Sequence, residues 1–301
     1  MRKLLANKKV RLGLCLLLVV LALAGCQANV DSSGNTLAEK IIYLNTPWSQ
    51  LKDESIFSAI LVWPLAFCIN WLTSKVGSVV LAIILTTLAI NLLTFGVSVK
   101  STVSSQRLQM MQPELNKIQA KYDGRTDENS KLMMAQEMQG LYSKYKVNPL
   151  SALVVPFLQL PIMIAMYYAV QRADAVVHGT VFGVSLSTTP FAAFKAFGSE
   201  WVLVLIWVLM IGFQFLSTWL PQMLAKRKRK EQKNYKAYAE PENKSSTQTQ
   251  TNMMMYSMVL VIGFLGLRWP TAMSLYWMMS SVITVAKTLF IQWRFIDRET
   301  V

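Results

Sequence analysis

The sequence predicts an all-α polytopic membrane protein with a five-span helical core, a cytoplasmic antiparallel helical hairpin and an outer interfacial helix. Hydrophobic residues make up 53% of the 301-residue chain, charged residues only 15%, and the mean hydropathy is +0.35. This balance excludes an ordinary soluble domain. Apolar runs near the ~20 residues needed to cross a bilayer recur along the chain. A charged segment with helical periodicity separates the first two runs.

The N-terminus is typical of a secretory signal. Basic residues precede an apolar run over 12–24 that is too short to span as a mature helix. The run ends in Leu23-Ala24-Gly25-Cys26, which is similar to a bacterial lipobox, so we expect cleavage before Cys26 and lipidation of its thiol. A plain signal peptide with an incidental cysteine is the alternative. Cys15 leaves with the signal and Cys68 stands alone, so no intramolecular disulfide is expected.

The remaining chain divides by hydropathy into spans and connections. Aromatic residues flank segment 56–76, and Pro64 interrupts it, which favours a helix in the outer interface over a short extra span. Span 4 is short and is expected to extend into its flanks. In chain order the expected segments are a lipoprotein signal peptide (1–25), an outer tether (26–55), the interfacial helix (56–76), span 1 (77–100), the cytoplasmic hairpin (101–148), span 2 (149–172), an outer loop (173–199), span 3 (200–221), a basic cytoplasmic loop (222–252), span 4 (253–268), span 5 (271–293) and a cytoplasmic tail (294–301).

The distribution of basic residues predicts the orientation in a bacterial cell membrane. Segments 100–148 and 222–252 each contain eight Lys or Arg residues, whereas 173–199 contains only Lys195. Because basic loops are retained on the cytoplasmic side, the hairpin and the C-terminus are expected in the cytoplasm. A lipidated Cys26 requires the same arrangement, with the N-terminus outside.

Apolar residues in the charged segment recur at spacings of three and four, which predicts two facing amphipathic helices. A polar turn joins them, and Ser130 or Asn129 is the expected N-cap of the second helix. Met110 and Met133 are candidates for contact with a partner, although methionines in such a segment also fill the seam between helices. The predicted seam consists of Leu108, Met111, Leu115, Ile118, Tyr122, Met134, Met138, Leu141 and Tyr145.

Two motifs resemble the YidC/Oxa/Alb membrane protein insertase family, in its Gram-positive lipoprotein form. The first is QEMQGLYSKYKVNPL, ending at Leu150 and followed by Pro156, Gln159 and Pro161. The second runs from Trp269 to Trp277, in the last span. The resemblance covers roughly residues 55–295. It implies a protein that inserts, folds and assembles newly made membrane proteins through a hydrophilic groove open to the cytoplasm, without making or breaking a chemical bond.

Polar side chains inside the spans are the candidates for groove lining and client contact, because unpartnered polar groups are costly in hydrocarbon. Hydrogen bonding between helices is the alternative for each hydroxyl. No Asp or Glu lies within the apolar runs of the five predicted spans, at approximately 79–99, 150–171, 201–221, 253–267 and 272–292, which argues against an ion-coupled transporter. The candidates are Thr87, Asn91, Gln159, Gln214 and Ser281.

The resemblance also exposes a difference from the family. Family members carry a groove arginine at a fixed distance before the Gln-Pro of the hairpin, and counting back from Gln112-Pro113 reaches Asn91. An amide can keep a groove hydrated but carries no charge. The sequence therefore predicts a groove that works by hydration and membrane thinning instead of charge attraction. Lys287 is expected to extend toward the cytoplasmic interface, and Arg268 to anchor the outer one.

The second cytoplasmic loop carries a dense basic patch. Anionic lipid is its expected partner, and ribosomal RNA is the alternative. The ribosome and the Sec translocon are further candidate partners on which the residues do not decide. The patch consists of Lys226, Arg227, Lys228, Arg229 and Lys230.

The sequence lacks the motifs that an enzyme or a cofactor-binding protein would require. The chain has one His, no Gly-Lys-Ser/Thr phosphate loop and no metal-ligand cluster, so no enzyme activity, catalytic residue, metal or cofactor is expected. The remaining alternative is a membrane chaperone or assembly factor without autonomous insertase activity.

Overall fold

A computed structural model describes residues 36–125, 127–148, 150–151, 154–195, 200–235 and 246–297. Within these ranges, the side chains of residues 156, 229–235, 246–252 and 254–255 are not described. The predicted signal peptide and Cys26, the predicted lipidation site, lie outside the described residues.

The described residues are mostly helical, with one two-stranded antiparallel sheet. Short 3-10 and π segments occur at Ala38–Lys40, Ser58–Val62 and Gln292–Ile296. The helices are α1 (Trp48–Glu54), α2 (Trp63–Val76), α3 (Val79–Leu93), α4 (Phe95–Lys121), α5 (Glu128–Lys144), α6 (Val154–Arg172), α7 (Asp174–Val177), α8 (Pro190–Lys195), α9 (Trp201–Tyr235), α10 (Ser246–Arg268) and α11 (Thr271–Ile291), with strands β1 (Thr180–Val181) and β2 (Val184–Ser185) between α7 and α8.

Several helices could cross a membrane, which confirms the all-α membrane class. Among the described residues, Ser58–Val76, Trp201–Lys228 and Thr271–Ile296 are long and apolar enough. A fourth span results if α3 and α4, bent by 70° at their junction, are taken together. The count of five spans stays a prediction. So does the interfacial position of 56–76, since Ser58–Val76 also has the length and composition of a span.

The structure contains two compact units. The amino-terminal unit comprises the described residues up to Thr86 together with Leu158–Leu203 and Trp269–Tyr276. The hairpin unit comprises Thr87–Phe157, Val204–Arg268 and the described residues from Trp277 onward.

In the amino-terminal unit, part of the predicted outer tether is packed against the helices. Ile42 is fully buried and pairs with the end of α6: its N–H donates to the Arg172 carbonyl at 2.7 Å, and its carbonyl accepts from Asp174 N–H at 3.1 Å. The buried Asn70 side chain joins the same segment, donating to the Ile42 carbonyl at 2.6 Å and accepting from Ala175 N–H at 2.9 Å. These bonds hold residues 36–54 on α2 and α6.

A buried ion pair completes this attachment. The Arg172 guanidinium is 4% exposed and lies 2.9 Å from the Glu54 carboxylate, while its Nε donates to the Lys40 carbonyl at 2.8 Å. Lys40 Nζ also contacts Glu54 at 2.8 Å. Burial alone would raise the pKa of Glu54, but the hydrogen bond from Lys40 and the charge of Arg172 outweigh it and lower the pKa.

In the hairpin unit, α4 and α5 pack along the predicted seam. Met111, Leu115, Leu141 and Val147 form its buried core. Leu108, Ile118, Met138, Tyr142 and Tyr145 pack against that core, which confirms the seam for seven of its nine predicted members. Tyr122, also predicted there, is buried and reaches Glu137 instead.

Two polar clusters, each formed by a glutamate, a lysine and a tyrosine, join α4 and α5. Glu137 of α5 accepts hydrogen bonds from Lys121 and Tyr122 at the end of α4. In the opposite sense, Glu114 of α4 accepts from Tyr145, just after α5, and pairs with Lys144. Burial and the Glu114 carboxylate raise the pKa of Tyr145 to about 12, so this hydroxyl stays a donor at physiological pH.

The expected cap of α5 is wrong. Asp127 is the N-cap, and its carboxylate accepts from Ser130 N–H at 2.8 Å. This bond lowers the pKa of Asp127. An aspartate three residues before the N–H satisfies the same geometry as a serine or asparagine cap, and its charge also favours the helix N-terminus.

Gly179→Ala is expected to destabilise the protein. A Cβ at position 179 would overlap the Ala175 carbonyl oxygen and lie 2.9 Å from Val79 Cγ2. We expect a loss of about 1–3 kcal/mol of unfolding free energy, as for other overpacked sites. The loss of stability is measured as a lower unfolding temperature of the purified protein in detergent. Gly140→Ala is the control, because no atom lies within 4 Å of its added Cβ and alanine favours the helix. Equal unfolding temperatures for the two variants would contradict the packing.

Attachment of the amino-terminal segment is expected to depend on pH. The folded pKa of Glu54 is lowered below its ordinary value of 4.5. Its contribution is therefore present above about pH 4.5 and lost as the pH falls through the folded pKa. Glu54→Gln imitates the protonated form at neutral pH and should speed hydrogen exchange at the Ile42 and Asp174 amides. Asp53→Asn is the control. Unchanged exchange in Glu54→Gln would contradict this role.

Candidate functional site

The candidate site lies where α3 ends, within the hairpin unit. The α3 helix stops at Leu93, and the chain bends by 70° into α4. At the bend, Thr94 Oγ1 donates to the Ile90 carbonyl at 2.9 Å, with the Asn91 carbonyl at 3.4 Å. The Ile90 carbonyl also accepts the backbone N–H of Thr94 at 3.1 Å, so the hydroxyl adds a second bond to the last turn of the helix.

Asn91 lies two residues before the end of α3 and uses both ends of its amide. Its Nδ2 donates to the Thr87 carbonyl at 3.0 Å, one turn earlier. This bond fixes the orientation of the side chain and turns Oδ1 outward as an acceptor. Thr87 itself is fully buried, so it supports Asn91 and does not present a surface to a client.

The acceptor is occupied by Lys287 of α11, whose Nζ donates to Asn91 Oδ1 at 3.0 Å. Lys287 lies four residues before the end of α11 and is partly buried. The sequence analysis did not foresee this contact, and the predicted mechanism by hydration stays a prediction. An ammonium group reaches Asn91 from another helix, and the extension of Lys287 toward the cytoplasmic interface stays a prediction.

The charge of Lys287 is not cancelled within the described part of the chain, where no ion pair involves it. Its hydrogen-bonding partner is a neutral amide, which orients the ammonium group but supplies no opposite charge. An ionisable residue inside a span is expensive and is, by default, a candidate for function. The arrangement offers an oriented cation with N–H donors that can receive an anionic or strongly polar group.

Gln214 and Ser281 also meet in the hairpin unit. Ser281 Oγ donates to Gln214 Oε1 at 2.7 Å, which links α9 to α11. Ser281 is 4% exposed, whereas Gln214 is partly exposed. The hydrogen bond between helices, the alternative considered for these residues, is thus present. It does not decide whether Gln214 also contacts a client.

Gln159 belongs to the amino-terminal unit, where its Nε2 donates to Tyr276 Oη at 2.9 Å. The bond joins α6 to α11. Client contact by Gln159 stays a prediction.

The hairpin methionines differ in exposure. Met133 is 54% exposed beside Leu132, which is 59% exposed, while Met110 is partly buried. Met133 and Leu132 therefore form the more accessible apolar pair on the hairpin.

The basic patch is not uniformly available. Lys226 and Arg227 are exposed, but Lys228 is 9% exposed and its Nζ lies 3.4 Å from Asp297. The Gln292 amide donates to the same Asp297 oxygen at 2.7 Å. Lys228 thus joins α9 to the segment after α11 and is withdrawn from lipid or RNA. The side chains of Arg229 and Lys230 lie outside the described residues.

Sequence reasoning missed the contact between Lys287 and Asn91. A signal was present, because this lysine stands alone in an otherwise uncharged helix. It also follows Ser280 by seven residues and Thr284 by three, which places the three on one helical face. The sequence could not show that this face approaches Asn91, because the two positions are 196 residues apart.

Comparison with known proteins agrees with these observations. The family model described as "60Kd inner membrane protein" matches residues 71–298. The protein "Membrane protein insertase YidC 1" of Streptococcus pyogenes serotype M3 is 33% identical over 231 residues, covering 77% of this chain and 72% of the relative.

Two further relatives extend the comparison. "Membrane protein insertase YidC" of Oceanobacillus iheyensis is 30% identical over 261 residues, covering 85% of this chain and 91% of the relative. "Membrane protein insertase YidC 2" of Bacillus anthracis is 27% identical over 243 residues, covering 80% and 83%. With the helical membrane fold and the motifs around Gln159 and Trp269, these matches show that the chain belongs to the YidC/Oxa/Alb family of membrane protein insertases.

Proposed function

We propose that this protein inserts newly made membrane proteins through a hydrated groove open to the cytoplasm. The observation that carries the proposal is the bond between Lys287 and Asn91. Asn91, Lys287, Gln214 and Ser281 supply its polar lining, and Thr87 supports Asn91. Orientation is part of the proposal: the C-terminus lies in the cytoplasm and a lipid anchor on Cys26 lies outside.

The groove would act by lowering the cost of moving polar groups. A client's short polar flank meets no hydrogen-bonding partner in hydrocarbon, where each unsatisfied group costs several kcal/mol. Polar side chains and the water they retain would replace part of the lost hydration. The client's apolar helix can then leave sideways into lipid, where burial of its surface favours the inserted state. No covalent step is involved.

Lys287 adds attraction to this hydration. Two opposite unit charges 4 Å apart attract by about 4 kcal/mol at an effective dielectric constant of ~20. A carboxylate in the translocated flank of a client could therefore compete with Asn91 for the ammonium. The attraction must be temporary, because the flank has to leave again. A neutral amide partner suits this role, since it holds the lysine in place without neutralising it.

Further partners are proposed for the cytoplasmic surface. The exposed Lys226 and Arg227 suit anionic lipid. Ribosomal RNA remains the alternative ligand for this patch. The exposed Leu132 and Met133 suit an apolar surface of a client, of the ribosome or of the Sec translocon.

Insertion is expected to favour acidic client tails. Purified protein in lipid vesicles would be given a single-span client with an acidic outer tail, or the same client with a neutral tail, and scored by protease protection. Because Lys287 is charged, the acidic tail should be protected several-fold more. Lys287→Met should remove that preference, and Lys287→Arg should keep it.

Leu289→Met is the matched control, since Leu289 lies on the same helix and is exposed. Persistence of the preference in Lys287→Met would contradict the charge role. If neither tail is protected with the unaltered protein, although clients that already span fold in higher yield, the protein is a chaperone and not an insertase.

Asn91→Leu is expected to lower the insertion of both clients. It removes the acceptor of Lys287 and part of the hydration of the groove, so the fall should be several-fold for the neutral tail as well. The same vesicle assay measures it. The control is Leu92→Met, at an exposed neighbour on α3. Unchanged insertion of the neutral tail in Asn91→Leu would contradict the hydration role.

A further inference from the structure

The small sheet of the amino-terminal unit carries an unusual turn. Strands β1 and β2 are joined by Phe182 and Gly183, which have φ values of 49° and 83°. Two positive φ angles are typical of a type I′ turn, where Asn, Asp and Gly are favoured because they tolerate this region. A phenylalanine there strains the backbone. The fold of the hairpin therefore does not explain the choice of residue.

The Phe182 side chain does not contribute to a core either. It is 89% exposed, the highest value for a large hydrophobic residue in the described part of the chain. A strained backbone that displays an aromatic ring indicates that the ring contacts something outside the protein.

The β1–β2 hairpin is held by hydrogen bonds at its base. Leu186, directly after β2, is fully buried, and its N–H donates to the Gly179 carbonyl at 3.1 Å. The Leu186 carbonyl accepts from Ala272 N–H, and the Thr188 carbonyl accepts from both the N–H and the hydroxyl of Thr271. The hairpin is thus bonded to the first turn of α11, a membrane-spanning candidate.

This attachment limits how far Phe182 can lie from the membrane. Leu186 is four positions after Phe182, and an extended chain covers about 3.3 Å per position, so the tip lies within roughly 13 Å of the bond to α11. The interfacial layer of a bilayer is itself about 5–8 Å thick on each side. The ring can therefore reach lipid from this position.

Neighbouring residues are suited to a membrane interface. From 173 to 199 the ionisable side chains are only Asp174, His178 and Lys195. Phe194 is 63% exposed, and Trp201, the first residue of the spanning helix α9, is 62% exposed. Aromatic residues at the ends of spans are typical interface anchors, and a scarcity of charge lowers the cost of leaving water.

We propose that the β1–β2 hairpin is a membrane-inserting tip, and that Phe182 enters the lipid of the outer leaflet beside the start of α11. The partner is the bilayer itself, not a protein. The tip would hold the amino-terminal unit at a fixed depth while clients pass. The location in the outer leaflet rests on the proposed orientation, but insertion of the tip into lipid does not depend on insertase activity.

The test is photocrosslinking in vesicles. The full-length protein would carry p-benzoylphenylalanine in place of Phe182, which keeps an aromatic ring at the tip. After reconstitution into phosphatidylcholine and phosphatidylglycerol vesicles and irradiation, mass spectrometry would count lipid and protein adducts. We expect lipid adducts at a yield within about twofold of that for the same label at Leu81, an exposed position on α3.

A label at Leu132, on the soluble hairpin, supplies the background value. A yield at position 182 no higher than at Leu132 would overturn the proposal, as would adducts to protein in place of lipid. Client insertion is assayed separately with the unaltered protein, and its absence there, with lipid adducts formed at position 182, would count against the proposed function and leave the tip in place.

Discussion

Hydrocarbon offers no hydrogen-bonding partner, so polar side chains within the spans must find partners on other helices or on their own backbone. Three contacts follow from this constraint: Lys287 with Asn91, Ser281 with Gln214, and Gln159 with Tyr276. Each contact joins α11 to a second helix, which is α3, α9 and α6 respectively, and links segments far apart in the chain. Within each unit these bonds join helices and orient their polar groups, so a change at one of them alters packing and chemistry together.

The positive charge comes from a different helix than the family resemblance implies. The sequence has Asn91 where the family resemblance implies an arginine, and this substitution alone would leave the region neutral. The structure brings the Lys287 ammonium to the same amide from another helix. An arginine on α3 would carry charge and donors on one side chain. Here α3 supplies the amide and α11 supplies the charge, so the presence of a charge beside Asn91 depends on how closely the two helices approach.

Features set by local periodicity could be predicted from the sequence. The hairpin seam around Met111 and Leu141 follows from spacings of three and four, and it was confirmed. The cap at Asp127 was missed because Asp127, Asn129 and Ser130 are all of residue types that cap helices, and local sequence does not choose among them. Long-range contacts were not predictable: neither the pairing of Ile42 with the end of α6 nor the approach of Lys287 leaves a trace in local spacing.

The most direct test of the account is Asn91→Asp, which replaces an amide by a carboxylate of nearly the same shape. If Lys287 meets this residue in the membrane, the new carboxylate neutralises it, and the vesicle assay should show insertion of the acidic-tailed client falling to the level of the neutral-tailed one. Adding Lys287→Met should then cause little further loss of the acidic preference. Full retention of that preference in Asn91→Asp would show that the charge of Lys287 does not act at this site.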